Sequence, residues 1–263
     1  MKILLIGESC QDIYHYGEVN RISPEAPVPI LDFERKEIKD GMSLNVRNNL
    51  ESLFKCEVDH ITQKTSIEKH RFIDKKTGQQ LLRCDFEDNI DKCQINAQPY
   101  QKLGENILKS YDCIVISDYN KGFISANHMH ELCDLATCPV FIDTKKKVFE
   151  LDQKNVFVKV NKKEYDELSV STKERFNNNL IVTLGEKGCR FDNVIYPGYS
   201  VDVFDVCGAG DVFLAAFTYA YMTVVTIGLR KTSAAFLENV FAYANRKAAE
   251  SVKHRGTYVV SRK

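Results

Sequence analysis

A doubly wound α/β domain with a mostly parallel sheet, carrying a small separate β-sheet, is the fold class this sequence predicts. Three observations carry it. First, short apolar runs at 113–116, 140–142, 156–160 and 180–184 each end in a polar or glycine-rich segment, the pattern of strands buried on both faces. Second, helical spacing separates several of these runs, and strand–helix alternation builds a parallel sheet covered by helices on both sides. Third, Asp205-Val206-Cys207-Gly208-Ala209-Gly210-Asp211 turns directly into the apolar run 212–221, where Phe213, Ala216, Phe217 and Ala220 recur at helical spacing.

Taken in order, Ile3 to Ile6 is a continuous apolar run closed by Gly7, a buried first strand. Residues 8–16 are mixed. Asp12 falls just beyond the strand's carboxyl end, where open α/β sheets bind ligands; a solvated turn residue is the competing reading. Arg21-Ile22-Ser23-Pro24-Glu25-Ala26-Pro27-Val28-Pro29-Ile30 has three prolines in six positions. That forbids helix and confines the segment to an edge or surface. Gly41-Met42-Ser43-Leu44-Asn45 leads into a helix with Val46, Leu50, Leu53 and Phe54 on one face. No element is recognisable between residues 54 and 70. Residues 71–73 and 80–86, with Thr77-Gly78 between them, read as a hairpin.

A helix is expected near 98–110. Strand 113–116 runs into Ser117-Asp118-Tyr119-Asn120-Lys121-Gly122, and Ser125 caps a helix that turns Met129, Leu132, Cys133 and Ala136 inward. Strand 140–142 ends at Asp143. Strand 156–160 ends in Asn161-Lys162-Lys163-Glu164, a capping-box spacing that starts a helix whether or not it also serves a ligand. Thr183-Leu184-Gly185-Glu186-Lys187-Gly188 has the form of a hairpin turn. A last helix near 233–252 buries Leu237, Val240, Phe241, Ala244 and Ala248.

At 263 residues the chain fits one sizeable domain. Its 36 basic and 36 acidic residues cancel, so no global field argues for nucleic acid. Nine scattered cysteines with no Cys-x-x-Cys pair, behind a start too short for a secretion signal, predict reduced thiols and a cytoplasmic location. No apolar run reaches membrane-spanning length, so no membrane partner is expected. The histidines make no ligand pattern. No Gly-x-x-x-x-Gly-Lys-Ser/Thr is present, which excludes a P-loop kinase.

The glycine turn carries the chemistry. Gly208, Ala209 and Gly210 allow close backbone approach, and the helix starting there aims unpaired N–H groups at whatever lies in front. Asp211 sets a carboxylate beside that anion site. Such a group makes sense where it takes a proton from a nucleophile attacking the anion. A glycine turn ahead of a core helix is the competing reading.

Asp-x-x-Gly-Ala-Gly-Asp before an apolar helix resembles the signature of the ribokinase-like (PfkB) carbohydrate kinases. More narrowly, Arg-Ile-Ser-Pro-Glu-Ala-Pro-Val-Pro and Gln79-Gln80-Leu81-Leu82-Arg83-Cys84-Asp85-Phe86 are similar to bacterial D-glycero-D-manno-heptose 7-phosphate kinases. Those kinases carry Gly-Gly-Ala-Ala-Asn-Val-Ala where this chain has Gly41, Asn45 and Val46; Met42 departs from the pattern.

The resemblance implies one ribokinase-like kinase domain over 1–263, with a small β-sheet lid from about 19–38 and 69–86. It implies that Asp211 is the catalytic base and that the amides of Cys207 to Gly210 form the anion hole. ATP and magnesium are the implied cofactors, with Glu164 holding the metal mainly through water and Asn161 beside it. Thr183, Gly185, Gly188 and Asn245 would border the nucleotide, Gly256-Thr257 would close over it, and Asp205 matches a monovalent-cation position, K+ being the ion. Asp12, Gly41 and Asn45 would meet the sugar. Arg21, Arg83 and Lys121 are candidates for a sugar phosphate, because Arg grips phosphate bidentately. The two lid segments are expected over the sugar pocket, and the lid to pair two copies in a homodimer. The implied activity is phosphorylation of a sugar or sugar phosphate, heptose 7-phosphate first. Another sugar or nucleoside kinase, or a non-catalytic sugar-phosphate-binding protein, are the alternatives.

Overall fold

The structure, a computed structural model, describes residues 1–87, 108–147, 151, 153, 155–175, 179–226 and 234–263. The helix expected near 98–110 lies outside them except for 108–110. Among the described residues, eight strands form the main sheet. Six are parallel, in spatial order β4 (Val58–Ile61), β1 (Ile3–Gly7), β7 (Cys113–Asp118), β8 (Val140–Thr144), β9 (Val156–Asn161) and β10 (Leu180–Thr183). The antiparallel β11 (Cys189–Phe191) and β12 (Val194–Tyr196) complete the far edge.

Alternation along these strands feeds two cores. Ile3, Leu5, Val115, Phe141, Phe157 and Ile181 face helices α1 (Ser43–Phe54), α5 (Ala209–Thr226) and α6 (Ala234–Ser251). Leu4, Ile6, Ile116, Ile142, Val158 and Val182 face the side of α2 (Ala126–Leu135). Phe141 and Phe157 meet Phe217 and Tyr221 edge-on at 4.8–5.8 Å between ring centroids. That geometry adds to the area buried, and it locks α5, which begins at the glycine turn, against the sheet. Two short helices, α3 (Lys162–Glu167) and α4 (Val170–Arg175), follow β9. Among the described residues, no helix is long and apolar enough to cross a membrane.

The second sheet has spatial order β3 (Pro29–Met42), β2 (Ser9–Ile22), β5 (Glu68–Asp74), β6 (Gln80–Phe86), with only β2 and β5 parallel. It is the expected lid, but larger, because β2 starts two residues after β1 ends. Asp12 is accordingly a buried strand residue and not a turn residue. The prolines sit at the tip of the β2–β3 hairpin, with Pro29 as the first residue of β3, a position where a missing N–H is tolerated. Residues 54–70, where no element was expected, contain β4 at the sheet edge, in register with β1 from Ile3 opposite Val58. Beyond it the chain passes into β5 without a helix.

Candidate active site

The site forms where the lid's base, the carboxyl ends of β7 to β9 and the amino end of α5 meet. Asp211, on the first turn of α5, is almost fully buried. Its Oδ1 accepts a hydrogen bond from the Tyr119 hydroxyl at 2.7 Å and its Oδ2 one from Asn45 Nδ2 at 3.0 Å. Burial pushes its pKa up to about 6. Asp143 adds to the rise, while Asn45, Tyr119 and Lys159 oppose it. A carboxylate so tuned holds a proton acceptor near neutral pH.

The turn before it is held at both ends. Asp205 accepts the Cys207 amide at 3.0 Å through Oδ1 and the Gly256 amide at 2.8 Å through Oδ2. Gly208 has φ +75°, and a Cβ there would come within 2.6 Å of Asn45 Nδ2, so no other residue fits without displacing the Asp211 partner. Ala209 donates its amide to the Val206 carbonyl at 3.3 Å. Cys207 and Ala209, expected in the anion hole, thus spend their amides inside the loop. Those of Gly208, Gly210 and Asp211 have no backbone acceptor among the described residues, and these face outward from the helix start.

On the lid side, Asp12 lies on β2 against Arg71 of β5, Oδ1 to Nη1 at 2.5 Å, both nearly buried. A Cβ on Gly41 would lie 2.4 Å from Asp12 Oδ2 and 2.6 Å from Cys10 Sγ; this is the close approach that demands glycine there. The next residue, Met42, adopts φ 57° and ψ −132°, a backbone region that favours glycine, which is what the heptose kinases carry at this place. Its side chain packs with Cys10, Ile67 and Tyr119.

Arg83 sits across from Arg71 on β6, on the same lid face as Lys69, and is paired bidentately with Asp85 at 2.6 and 2.8 Å. Lys121 is ion-paired with Glu87. Arg21, by contrast, is exposed near the hairpin tip, nine positions from Asp12 on the same strand and so roughly 30 Å away. The structure does not bring Arg21, or the proline-rich tip, over this site.

The nucleotide-side residues do converge. Thr183, Gly185, Gly188 and Asn245 line one cleft of about 240 Å³ with Ala209 and Gly210. The 183–188 segment is also the hairpin turn between β10 and β11, and Asn245 Nδ2 donates to the Tyr196 and Pro197 carbonyls at the end of β12, each at 3.0 Å. Asn161 and Glu164 form a full capping box at the start of α3. Glu164 Oε2 accepts the Asn161 amide at 2.7 Å, and Oε1 accepts from Lys145 Nζ at 3.1 Å.

Four residues had no motif to announce them: Tyr119, Lys69, Arg71 and Lys159. Lys159 is buried on β9, bonded to Asp143 Oδ2 at 2.5 Å, and its amine lies under Gly210. A lysine inside the apolar run Val156-Phe157-Val158-Lys159-Val160 is itself a signal, because a buried charge needs a partner and usually a purpose.

Comparison with known proteins agrees with this architecture. The sequence profile described as pfkB family carbohydrate kinase matches residues 125–263, more than half of the chain. The bifunctional protein HldE of Nitratiruptor sp. is 30% identical over 83% of this chain. The chain spans 56% of that protein's length. In three dimensions the ribokinase of Thermotoga maritima is similar with TM-score 0.68 and 19% identity, over 99% of this chain and 96% of that one. An Arabidopsis thaliana ribokinase complexed with ribose and ATP gives TM-score 0.65 and 14% identity, over 97% and 93%. With a ribokinase-like fold, a buried carboxylate at the amino end of α5 and the family profile all in agreement, the chain belongs to the pfkB family of carbohydrate kinases.

Proposed function

We propose that this chain transfers the γ-phosphoryl group of ATP to a sugar hydroxyl, and that the sugar is D-glycero-D-manno-heptose 7-phosphate, phosphorylated at its anomeric position. The observation that carries the transfer is Asp211, a buried carboxylate with its pKa raised to about 6, set between the nucleotide-side cleft and the lid residues. In the proposed reaction Asp211 takes the hydroxyl proton as the sugar oxygen bonds to the γ-phosphorus. The bond from that phosphorus to the β–γ bridging oxygen breaks, and ADP leaves. The free amides at Gly208, Gly210 and Asp211 and the Lys159 ammonium are the groups that answer the charge on the moving phosphoryl.

Magnesium, when bound with ATP, neutralises phosphate charge. Glu164 is the residue that would hold it, and since both its oxygens already accept hydrogen bonds, the fit is to a water-mediated contact. Asp205, with its oxygens on the Cys207 and Gly256 amides, would set a potassium ion beside the loop it braces.

The heptose assignment rests on the lid segments that resemble heptose 7-phosphate kinases, on the 30% identity to HldE, and on cations grouped on the lid's inner face. Lys69, Arg71 and Arg83 share that face, and Lys121 meets the chain just past β6. A distal phosphate needs such a group. We further propose that the protein works as a homodimer through the lid and in the cytoplasm. The decisive experiment measures ADP release with magnesium-ATP over heptose 7-phosphate, plain hexoses, hexose phosphates and nucleosides. Turnover on the heptose phosphate above all others is the expected result. Good turnover on a plain sugar or nucleoside with none on the heptose phosphate rejects the heptose and keeps the kinase. Binding of sugar phosphate without turnover on any acceptor favours the non-catalytic alternative.

A further inference from the structure

We propose that Tyr119 is the positioning residue of the phosphoryl-transfer base: its hydroxyl, donated to Asp211 Oδ1, fixes the carboxylate in the orientation that receives the sugar proton. This rests on the kinase reading above and extends it to a residue on a different element. Asp211 has two oxygens, and the donors that hold them come from two directions. Asn45 reaches Oδ2 from α1, and Tyr119 reaches Oδ1 from the loop after β7. With both fixed, the carboxylate cannot rotate, yet each oxygen keeps a lone pair for the incoming hydroxyl.

Tyr119 is itself tightly held. Its amide donates to Glu8 Oε2 at 2.8 Å, and Glu8 Oε1 accepts the amides of Lys121 at 2.9 Å and Phe123 at 3.3 Å. One buried carboxylate thus suspends the whole 119–123 loop. The ring packs against Cys10, Met42 and Ile67, and the ammonium groups of Lys69 and Lys145 lie 5.6 and 5.0 Å from its centre. Burial first, and the Asp211 and Asp143 charges next, hold the phenol's pKa well above its ordinary value. Tyr119 is therefore a hydrogen-bond donor at every working pH and never a competing base. A phenylalanine would fill the same space; only the hydroxyl explains the contact.

The other charged or titratable groups facing Asp211 are Asp143 on β8, Lys159 on β9, Cys10 on β2, Cys207 in the turn and Lys145 beyond β8. None is altered by Tyr119→Phe. Losing a donor that favours the charged carboxylate moves its titration upward. The acid limb of kcat/KM should therefore rise by about half to one pH unit, with kcat about tenfold lower and the ATP KM unchanged.

A second readout does not depend on turnover. In carboxyl-13C aspartate-labelled protein, the Asp211 resonance is assigned by its loss in Asp211→Asn, and its midpoint should rise in Tyr119→Phe. Replacing Tyr119 with 3-fluorotyrosine, a stronger donor of nearly the same size, should lower it, and serves if the phenylalanine variant fails to fold. Midpoints that move as stated, in a wild type that phosphorylates no sugar, support the positioning and remove the kinase reading. A midpoint indifferent to both replacements overturns the proposal, whatever happens to the rate.

Discussion

At Asp211 the surroundings disfavour the charge that the reaction needs. Burial and Asp143 push the group up to about 6, against roughly 3.9 for an aspartate in an unfolded chain. Two outcomes follow from that one difference. The rate as kcat/KM should fall about tenfold per pH unit below about pH 6, since only the ionised form accepts a proton. Asp211→Asn should lower kcat by about 10²–10⁴ or more while ATP affinity by calorimetry stays nearly intact. The second outcome concerns stability, and its sign is opposite to that of a salt-bridged carboxylate. A group with its folded value above its unfolded one binds its proton more tightly when folded. Its contribution is present below about pH 4 and is lost as pH rises through about 6. At pH 8 the buried charge is a net burden, so Asp211→Asn should be more stable than wild type there, by about 1–3 kcal/mol in urea titrations. That advantage should shrink toward zero near pH 4. A variant less stable than wild type at pH 8 would mean that the bonds from Tyr119 and Asn45 outweigh burial.

Among elements, α3 begins with a capping box that uses the same Glu164 proposed for magnesium. Glu164→Ala should cost about 1 kcal/mol of stability from the lost cap, and Glu164→Gln, which can still complete the box, should cost little. If both raise the magnesium needed for half-maximal rate, the carboxylate serves the metal as well; an unchanged requirement in Glu164→Gln leaves it as a cap only. The lid's inner strands make a similar pair of tests. Arg83→Ala removes an exposed cation and should weaken a sugar 7-phosphate by about 1.5–3 kcal/mol in binding titrations without affecting the unphosphorylated sugar. Arg71→Ala strands the buried Asp12 and should also destabilise the fold, by about 3–5 kcal/mol. The core strands and the amino end of α5 were legible because long apolar runs and glycines act locally, whereas α5 runs five residues past the apolar run that ends at Tyr221. β4 was not: Val58-Asp59-His60-Ile61 is four residues long and partly exposed at an edge, so its strand nature comes from pairing with β1. Asp12 was misplaced because β2 turns Cys10, Asp12 and Tyr14 toward the site, and a polar residue on a buried face breaks the alternation that announces strands. The Asp12–Arg71 and Asp143–Lys159 pairs each join two different strands, and no local pattern records them.

For the whole molecule, a formal charge of zero conceals how the lid divides its two faces. The inner face gathers Asp12, Lys69, Arg71 and Arg83, while the outer face carries an aromatic and aliphatic cluster among a few polar residues, Gln11, Lys36 and Glu68. His15 stacks on Phe72 at 4.6 Å between ring centroids, with Phe33 and His70 beside it and Phe86 edge-on to His70. Around this cluster Phe33 is 61% exposed, Leu82 and Phe86 each 54%, and Ile38 49%. Four large apolar side chains on one sheet face form the kind of contiguous patch that soluble monomers rarely leave open. The face that a second copy would offer is the same one, so a two-fold pairing is complementary by construction. Light scattering coupled to gel filtration should therefore give about twice the chain mass at micromolar concentration. Glutamate at both Phe33 and Leu82 puts a charge on each edge strand of that contact and should yield a monomer, with the far-ultraviolet dichroism of the wild type because neither residue is needed by the core. A wild-type protein that stays monomeric at every concentration would refute the pairing and leave the outer face open to a different partner.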